Sequence, residues 1–311
     1  MQRQMNRLRA WTILLVMGQV WGLSFSIGKI AATGGAHPFS ISLWQYLTAS
    51  VLLIVIAGAQ RRRFSVTLRL AGFYMVVALL GLVVPNALFY YAASRVSAGV
   101  LSISVALVPI LTFLGSTVFG LERVVFARMA GVALGLLAIV FLVAPTESLP
   151  DRSQLPWVLL SLFAAVCYAS LNLLLAMKAP PGIDNFVVTC GMFMAASFIM
   201  LPIIFGTGSF TPPTWPWRSI EWAMIGLGVI SATAYTLYFY LIERAGPVFT
   251  SQVANLITLC GVLWGMIIFG EQHSAWIWLS LATMMVAVAL VAPRRDVPTS
   301  ATSLETNNQK Q

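Results

Sequence analysis

The sequence predicts an all-α integral membrane protein: ten transmembrane helices arranged as two inverted five-helix repeats. Three observations carry this. Hydrophobic residues make up 59% of the 311-residue chain against 9% charged, with a mean hydropathy of +0.89, more apolar surface than one soluble core hides. The apolar residues gather in runs of about 20, the length a helix needs to cross a ~30 Å hydrocarbon layer. Finally, Arg95 and Glu122 recur 149 residues later as Arg244 and Glu271, and each pair brackets an apolar stretch free of Asp, Glu, Lys and Arg.

The first run, residues 11–31, follows Arg3, Arg7 and Arg9. A cleaved signal peptide starts similarly, but this run exceeds the usual apolar region and supplies the first member of the repeat, so its retention is expected. Runs 39–59 and 70–91 follow, the latter holding Pro85 and then Asn86 and Tyr90 one turn apart. Run 99–119 contains Ser102, Ser104 and Pro109, and run 125–144 completes a first repeat expected at 1–148. The second repeat, expected at 149–293, begins with 156–176, where Tyr168 and Asn172 are one turn apart. Next come 184–205 and then 220–241, with Ser231, Tyr235 and Tyr238 on one helical face. Run 250–269 places Gln252 and Asn255 at i, i+3, and 273–292 ends the series. Residues 294–311, rich in Ser, Thr, Asn and Gln, are expected to be a disordered cytoplasmic tail. Tyr91, Ser102, Leu107 and Leu114 reappear at the same offset as Tyr240, Ser251, Leu256 and Leu263.

The net charge of +9 is unevenly placed. Of 18 Lys and Arg, only Lys29, Arg95, Arg152 and Arg218 fall on one side of the ten runs. The positive-inside rule then puts both termini in the cytoplasm and makes the basic excess a topology signal rather than a nucleic-acid surface. Five crossings per half invert the second repeat, so Glu122 faces the cytoplasm and Glu271 the exterior. Lys29, at the end of the first run, is expected to snorkel. Cys167, Cys190 and Cys260 sit inside runs at unrelated spacings, as small buried hydrophobes do.

All nine Asp and Glu, and both His37 and His273, lie at run ends or in loops. An intramembrane enzyme would need convergent acids, bases or metal ligands, a charge-selective channel a ring of charge, and a proton relay ionisable groups along its path. The polar side chains inside the runs are uncharged, and they are the candidates for lining a path. Each also has a structural role open to it: Tyr90 and Tyr238 as interfacial aromatics, Ser102 and Ser104 for close packing, the amides as interhelical clamps. Trp21 and Tyr168 stand deeper than an interfacial belt. Pro85 and Pro109 are candidate hinges.

Trp21-Gly22, Ser97-Ala98-Gly99, Pro109, Gly120-Leu121-Glu122, Tyr168, Ala245-Gly246-Pro247 and Gly270-Glu271, in this order and partly duplicated, resemble the drug/metabolite transporter superfamily. The match is to its ten-helix EamA-type carriers, up to about residue 293. The resemblance implies a secondary transporter of the inner (cytoplasmic) membrane, most similar to exporters of aromatic and other neutral amino acids. It implies a cavity built mainly by helices one, three, four, six, eight and nine. The substrate-binding residues expected there are Trp21, Asn86, Tyr90, Ser104, Tyr168, Asn172, Tyr235, Tyr238, Gln252 and Asn255. Small multidrug-resistance relatives carry a Glu on the first helix, where this chain has Gln19 and Trp21 and no acid. Proton antiport through a carboxylate is therefore not expected, and a zwitterion held by dipoles fits better than a dication. Drugs, vitamins, other metabolites and lipid head-groups stay open as cargo. The expected partners are a small-molecule substrate and membrane lipids, without nucleic acid, metal or cofactor, and the expected unit is a monomer.

Overall fold

The computed structural model of the protein describes residues 6–62, 67–122, 124–145, 151–180, 182–245, 247–250 and 252–291. Arg3, Gly246, Ser251 and the expected tail 294–311 lie outside them. The regular secondary structure of the described residues is all helical, with no strand among them. The first half comprises α1 (Arg7–Thr33), α2 (Pro38–Ala59), α3 (Leu68–Ala78), a π-helical turn (Leu79–Val83), α4 (Val84–Ala93), α5 (Ala98–Val105), α6 (Val108–Val118) and α7 (Phe126–Val143). The second half comprises α8 (Leu155–Lys178), α9 (Asn185–Thr207), α10 (Ser219–Ala245), α11 (Pro247–Thr250), α12 (Val253–Phe269) and α13 (Ala275–Val291). Among the described residues, eight helical runs are long and apolar enough to cross a membrane, and α12 and α13 are shorter apolar helices of 17 residues. The chain is a multi-pass membrane protein.

Helix starts and stops follow local chemistry. Thr67, Ser97 and Asp184 cap α3, α5 and α9 by accepting backbone N–H bonds, and His37 does the same for α2 ahead of Pro38. Gly208 and Gly270 end α9 and α12 in the left-handed conformation, at φ 64° and 62°. Both prolines expected to act as hinges lie beside breaks. Pro85 follows the π-helical turn, and Pro109 follows the interruption at Ala106–Leu107. Proline has no N–H, so the carbonyl four residues earlier loses its helical donor.

α1 packs on α10 and α12, α2 on α9 and α10, and α8 on α4, α5 and α6. α3 packs on α9, α5 on α12, and α7 on α13. The α1–α12 approach depends on Gly22, where an added Cβ would stand 2.7 Å from Cys260 Cβ and 3.0 Å from the Ile257 carbonyl oxygen. Small residues at such crossings let backbones pack closely where no hydrophobic effect drives association. All three cysteines are free and buried.

Gly22→Leu should therefore cost about 1–3 kcal/mol through overpacking. Gly58→Leu, whose added Cβ meets nothing within 4 Å, is the control. Thermal unfolding in detergent is the measurement, with a lowered midpoint in the first variant only.

Candidate functional site

The second helix contributes an amide that the sequence reading passed over. Gln45 is buried on α2, and its Oε1 accepts from the Tyr90 hydroxyl at 2.6 Å and from Asn86 Nδ2 at 3.3 Å. Its Nε2 donates to Ser231 Oγ on α10 at 2.9 Å. Asn86 in turn accepts from the Tyr168 hydroxyl of α8 at 2.7 Å. One hydrogen-bonded network thus joins α2, α4, α8 and α10, four helices from both halves of the chain. Beside it, Tyr46 donates from its hydroxyl to the Leu82 carbonyl within the π-helical turn at 2.9 Å.

One turn beyond Ser231, Tyr235 begins an aromatic group. Its ring lies 5.1 Å from Trp21 and 5.6 Å from Phe193, and Trp21 meets Tyr238 edge-on at 6.2 Å. Aromatic faces stand next to amides and phenols, with no charged side chain in the network. The second N–H of each amide and the phenol lone pairs are the dipoles left to bind a solute. A neutral or zwitterionic molecule suits such a site, because an unpaired charge there would be costly.

Of the expected site residues, Trp21, Asn86, Tyr90, Tyr168, Tyr235 and Tyr238 meet in this assembly, with Gln45 and Ser231 linking them. Ser104 is buried elsewhere, donating to the Val100 carbonyl at 3.0 Å and accepting from Ser161 at 2.9 Å. Asn172 is exposed and donates to Thr112 at 3.2 Å. Gln252 and Asn255 are half-buried, and among the described residues their side chains form no hydrogen bond. The signal that marks Gln45 in the sequence is the one amide in the second apolar run, between Trp44 and Tyr46.

A second polar cluster lies at one end of the bundle. Lys29, at the end of α1, pairs through its Nζ with Glu271 Oε1 at 2.7 Å. The Glu271 carboxylate also accepts the Ala98 N–H at 2.8 Å and the Gly99 N–H at 3.2 Å, at the start of α5. His273 Nε2 stands 3.6 Å from Glu271 Oε2, in a side chain only 2% exposed. Burial lowers the His273 pKa, nearby Lys29 lowers it further, and Glu271 opposes both. A cavity of about 390 Å³ opens beside Lys29, Arg95 and His273. Toward the opposite end, a cavity of about 310 Å³ is lined by Arg9, Arg62, Phe239 and Tyr240. At that end Glu122 pairs with Arg128.

The EamA-like transporter family matches this chain twice, over residues 9–144 and 155–292. An uncharacterised transporter of Archaeoglobus fulgidus is 21% identical over 93% of this chain and 100% of its own. A WAT1-related protein of Arabidopsis thaliana is 21% identical, covering 90% and 84%. The uncharacterised inner membrane transporter YedA of Escherichia coli is 24% identical, covering 88% and 87%. A crystal structure of a protein 18% identical superposes with a TM-score of 0.62, covering 92% of this chain and 96% of that one, so the fold is shared.

Two outcomes follow from the geometry. Gln45→Leu strands the Tyr90 hydroxyl and the Asn86 amide and should cost about 1–3 kcal/mol for each group left unpaired. A Gln45→Leu/Tyr90→Phe double-mutant cycle on the unfolding midpoint should show coupling, because Phe has no hydroxyl to strand. At the other cluster, a folded-state pKa below the ordinary value near 6.5 means that the unfolded chain binds the His273 proton more readily. That contribution is full above the ordinary value and is lost as pH falls through it. Acidification from about pH 7.5 to 5.5 should lower the midpoint less in His273→Gln than in the parent.

Proposed function

The chain belongs to the EamA-like transporter family, and from that membership we propose an alternating-access carrier of small neutral or zwitterionic metabolites. Amino acids with aromatic or other uncharged side chains are its first candidates, and export is the direction. The observation that carries this reading is the uncharged cage of Gln45, Asn86, Tyr90 and Tyr168 beside Trp21 and Tyr235. The free amide N–H groups hold a carboxylate or carbonyl, and the phenol lone pairs and aromatic faces attract an ammonium. A net-neutral cargo does no work against the membrane potential, which acts at about 2.3 kcal/mol per charge per 100 mV.

The two five-helix halves, 1–148 and 149–293, are read as inverted repeats. Two findings support this. The family match itself falls on consecutive halves of the chain. The packing also exchanges under a shift of five spans: α1 on α10 corresponds to α8 on α4, α1 on α12 to α8 on α5, and α2 on α10 to α9 on α3. The pairs α2–α9, α5–α12 and α7–α13 map onto themselves. Inverted halves of this kind turn one open state into the other by exchanging conformations. In this reading the protein sits in the inner membrane with both termini cytoplasmic. Glu271 and Lys29 then face outward, and Glu122 faces the cytoplasm.

The test is counterflow in proteoliposomes loaded with a panel of amino acids and no pH gradient. Saturable exchange of neutral amino acids is expected, with Trp21→Ala and Tyr168→Ala each reducing it at least about tenfold, the loss of roughly one aromatic contact. Unchanged exchange in both variants removes the site assignment. No exchange across the panel by folded protein moves the cargo to lipophilic or head-group substrates.

A further inference from the structure

A carrier must seal one end of its central site while the other opens, and the two ends of this bundle are built differently. At the Lys29 end, α5 lies directly on α12. An added Cβ on Gly261 would stand 2.5 Å from Ser102 Cβ, and one on Gly265 would stand 3.3 Å from Ala98 Cβ. Ala98 and Ser102 on α5 thus face Gly261 and Gly265 on α12, small residues four apart on both helices. Ser102 Oγ donates across this seam to the Thr258 carbonyl at 3.1 Å. Glu271, just past α12, closes the seam by accepting from two N–H groups of α5 and from Lys29 of α1. Carboxylate, helix start and ammonium are a strongly favourable combination, with charge-assisted bonds on both carboxylate oxygens.

The 149-residue offset that relates Glu122 to Glu271 also relates Lys29 to Lys178 and Ala98 to Pro247. Each of these positions therefore has a counterpart at the opposite end, and among the described residues no hydrogen bond or ion pair joins Glu122, Lys178 and Pro247. Glu122 is 40% exposed and pairs with Arg128, its neighbour in sequence. Lys178 is exposed, and α6, the half of the fourth span nearest Glu122, packs chiefly on α8.

We propose that Glu271, Lys29 and the start of α5 form an exterior latch, and that Glu122 and Lys178 form its cytoplasmic counterpart, closing only when the exterior latch releases. This rests on the alternating-access reading of the preceding section. The two latches are unequal. Glu271 receives N–H groups from Ala98 and Gly99, while the position matching Ala98 is Pro247, which has no N–H to give. The cytoplasmic latch is one donor short, which biases the carrier toward the state closed to the exterior.

Solvent access to the α5–α12 seam reads the latch directly. Ser102→Cys is introduced into the full chain with Cys167, Cys190 and Cys260 replaced by Ala, and a membrane-impermeant methanethiosulfonate is applied from outside. Glu271→Gln should raise the labelling rate about tenfold, since the lost charge-assisted bonds shift the population toward the released state. Lys29→Gln, which keeps the carboxylate, should raise it in the same direction. Glu122→Gln should leave the rate at or below that of the parent. No rise in either Glu271→Gln or Lys29→Gln, in protein that elutes as a folded species, overturns the latch, and so does an equal rise in Glu122→Gln. Labelling needs no substrate, so a panel without exchange counts against the transport reading alone. Exchange with unresponsive labelling counts against the latch alone.

Discussion

Inside a hydrocarbon layer there is no water to take up a polar group, so a buried donor or acceptor gains most by finding a partner within the protein. That constraint organises the whole bundle. Gln45 ties α2 to α4 and α10; Ser104 and Ser161 tie α5 to α8; Ser280 donates to the Ala138 carbonyl and ties α13 to α7 at 2.7 Å. Each bond fixes a helix pair in rotation and depth, which apolar side chains alone do loosely. The same constraint sorts charges from dipoles. Lys29 with Glu271, Arg62 with Asp184, and Arg218 with Glu221 all pair outside the central cage. Dipoles remain in the middle, where Gln45, Asn86, Tyr90 and Tyr168 bond to one another.

Close packing and broken helices follow from the same need. Lipid is as apolar as leucine, so helices gain by approaching until their backbones touch, and Gly22, Gly261 and Gly265 permit that approach. A helix break inside the layer is tolerated only where protein covers the carbonyls it frees. The interruption at Ala106–Leu107 is buried, and α5 is held between α8 and α12. The π-helical turn before Pro85 has its Leu82 carbonyl bonded by Tyr46. The backbone irregularities thus sit where other helices cover them.

Much of the fold was legible in the sequence because membrane spanning requires length and apolarity, both of which are local properties. The predicted ends at 39–59 and 184–205 fall within two residues of α2 and α9. The run 250–269 begins at the last residue of the short α11 and takes in α12, a helix of 17 residues. The site was legible only in part. Helical spacing shows that Asn86 and Tyr90 share a face, but it does not reveal which neighbour that face meets. Gln45 went unread for this reason: its partners lie 41, 45 and 186 residues away on other helices. Ser104 and Asn172 show the converse. Their spacing suited a path, and their bonds run to Ser161 and Thr112 rather than to the Gln45 network. Lys29, expected to reach for the interface, found its counter-charge 242 residues on.

The repeat that announces the architecture also shows where the two halves diverge. Equal spacing puts a glutamate after the fourth span and after the ninth, and equal chemistry would give both the same surroundings. The surroundings differ because the helix start that each would meet differs. Ser97 caps α5 through its hydroxyl, and Ala98 and Gly99 present free N–H groups, so a carboxylate arriving there is bound on both oxygens. The matching tripeptide, Gly246-Pro247-Val248, has neither the capping hydroxyl nor the proline N–H. Glu122 has the weaker destination and bonds instead to Arg128 on its own side. A duplicated chain is symmetric only as far as its individual hydrogen-bond donors are, and at these two helix starts the donors differ: one offers a capping hydroxyl and two N–H groups to a carboxylate, and the other has a proline in the matching place.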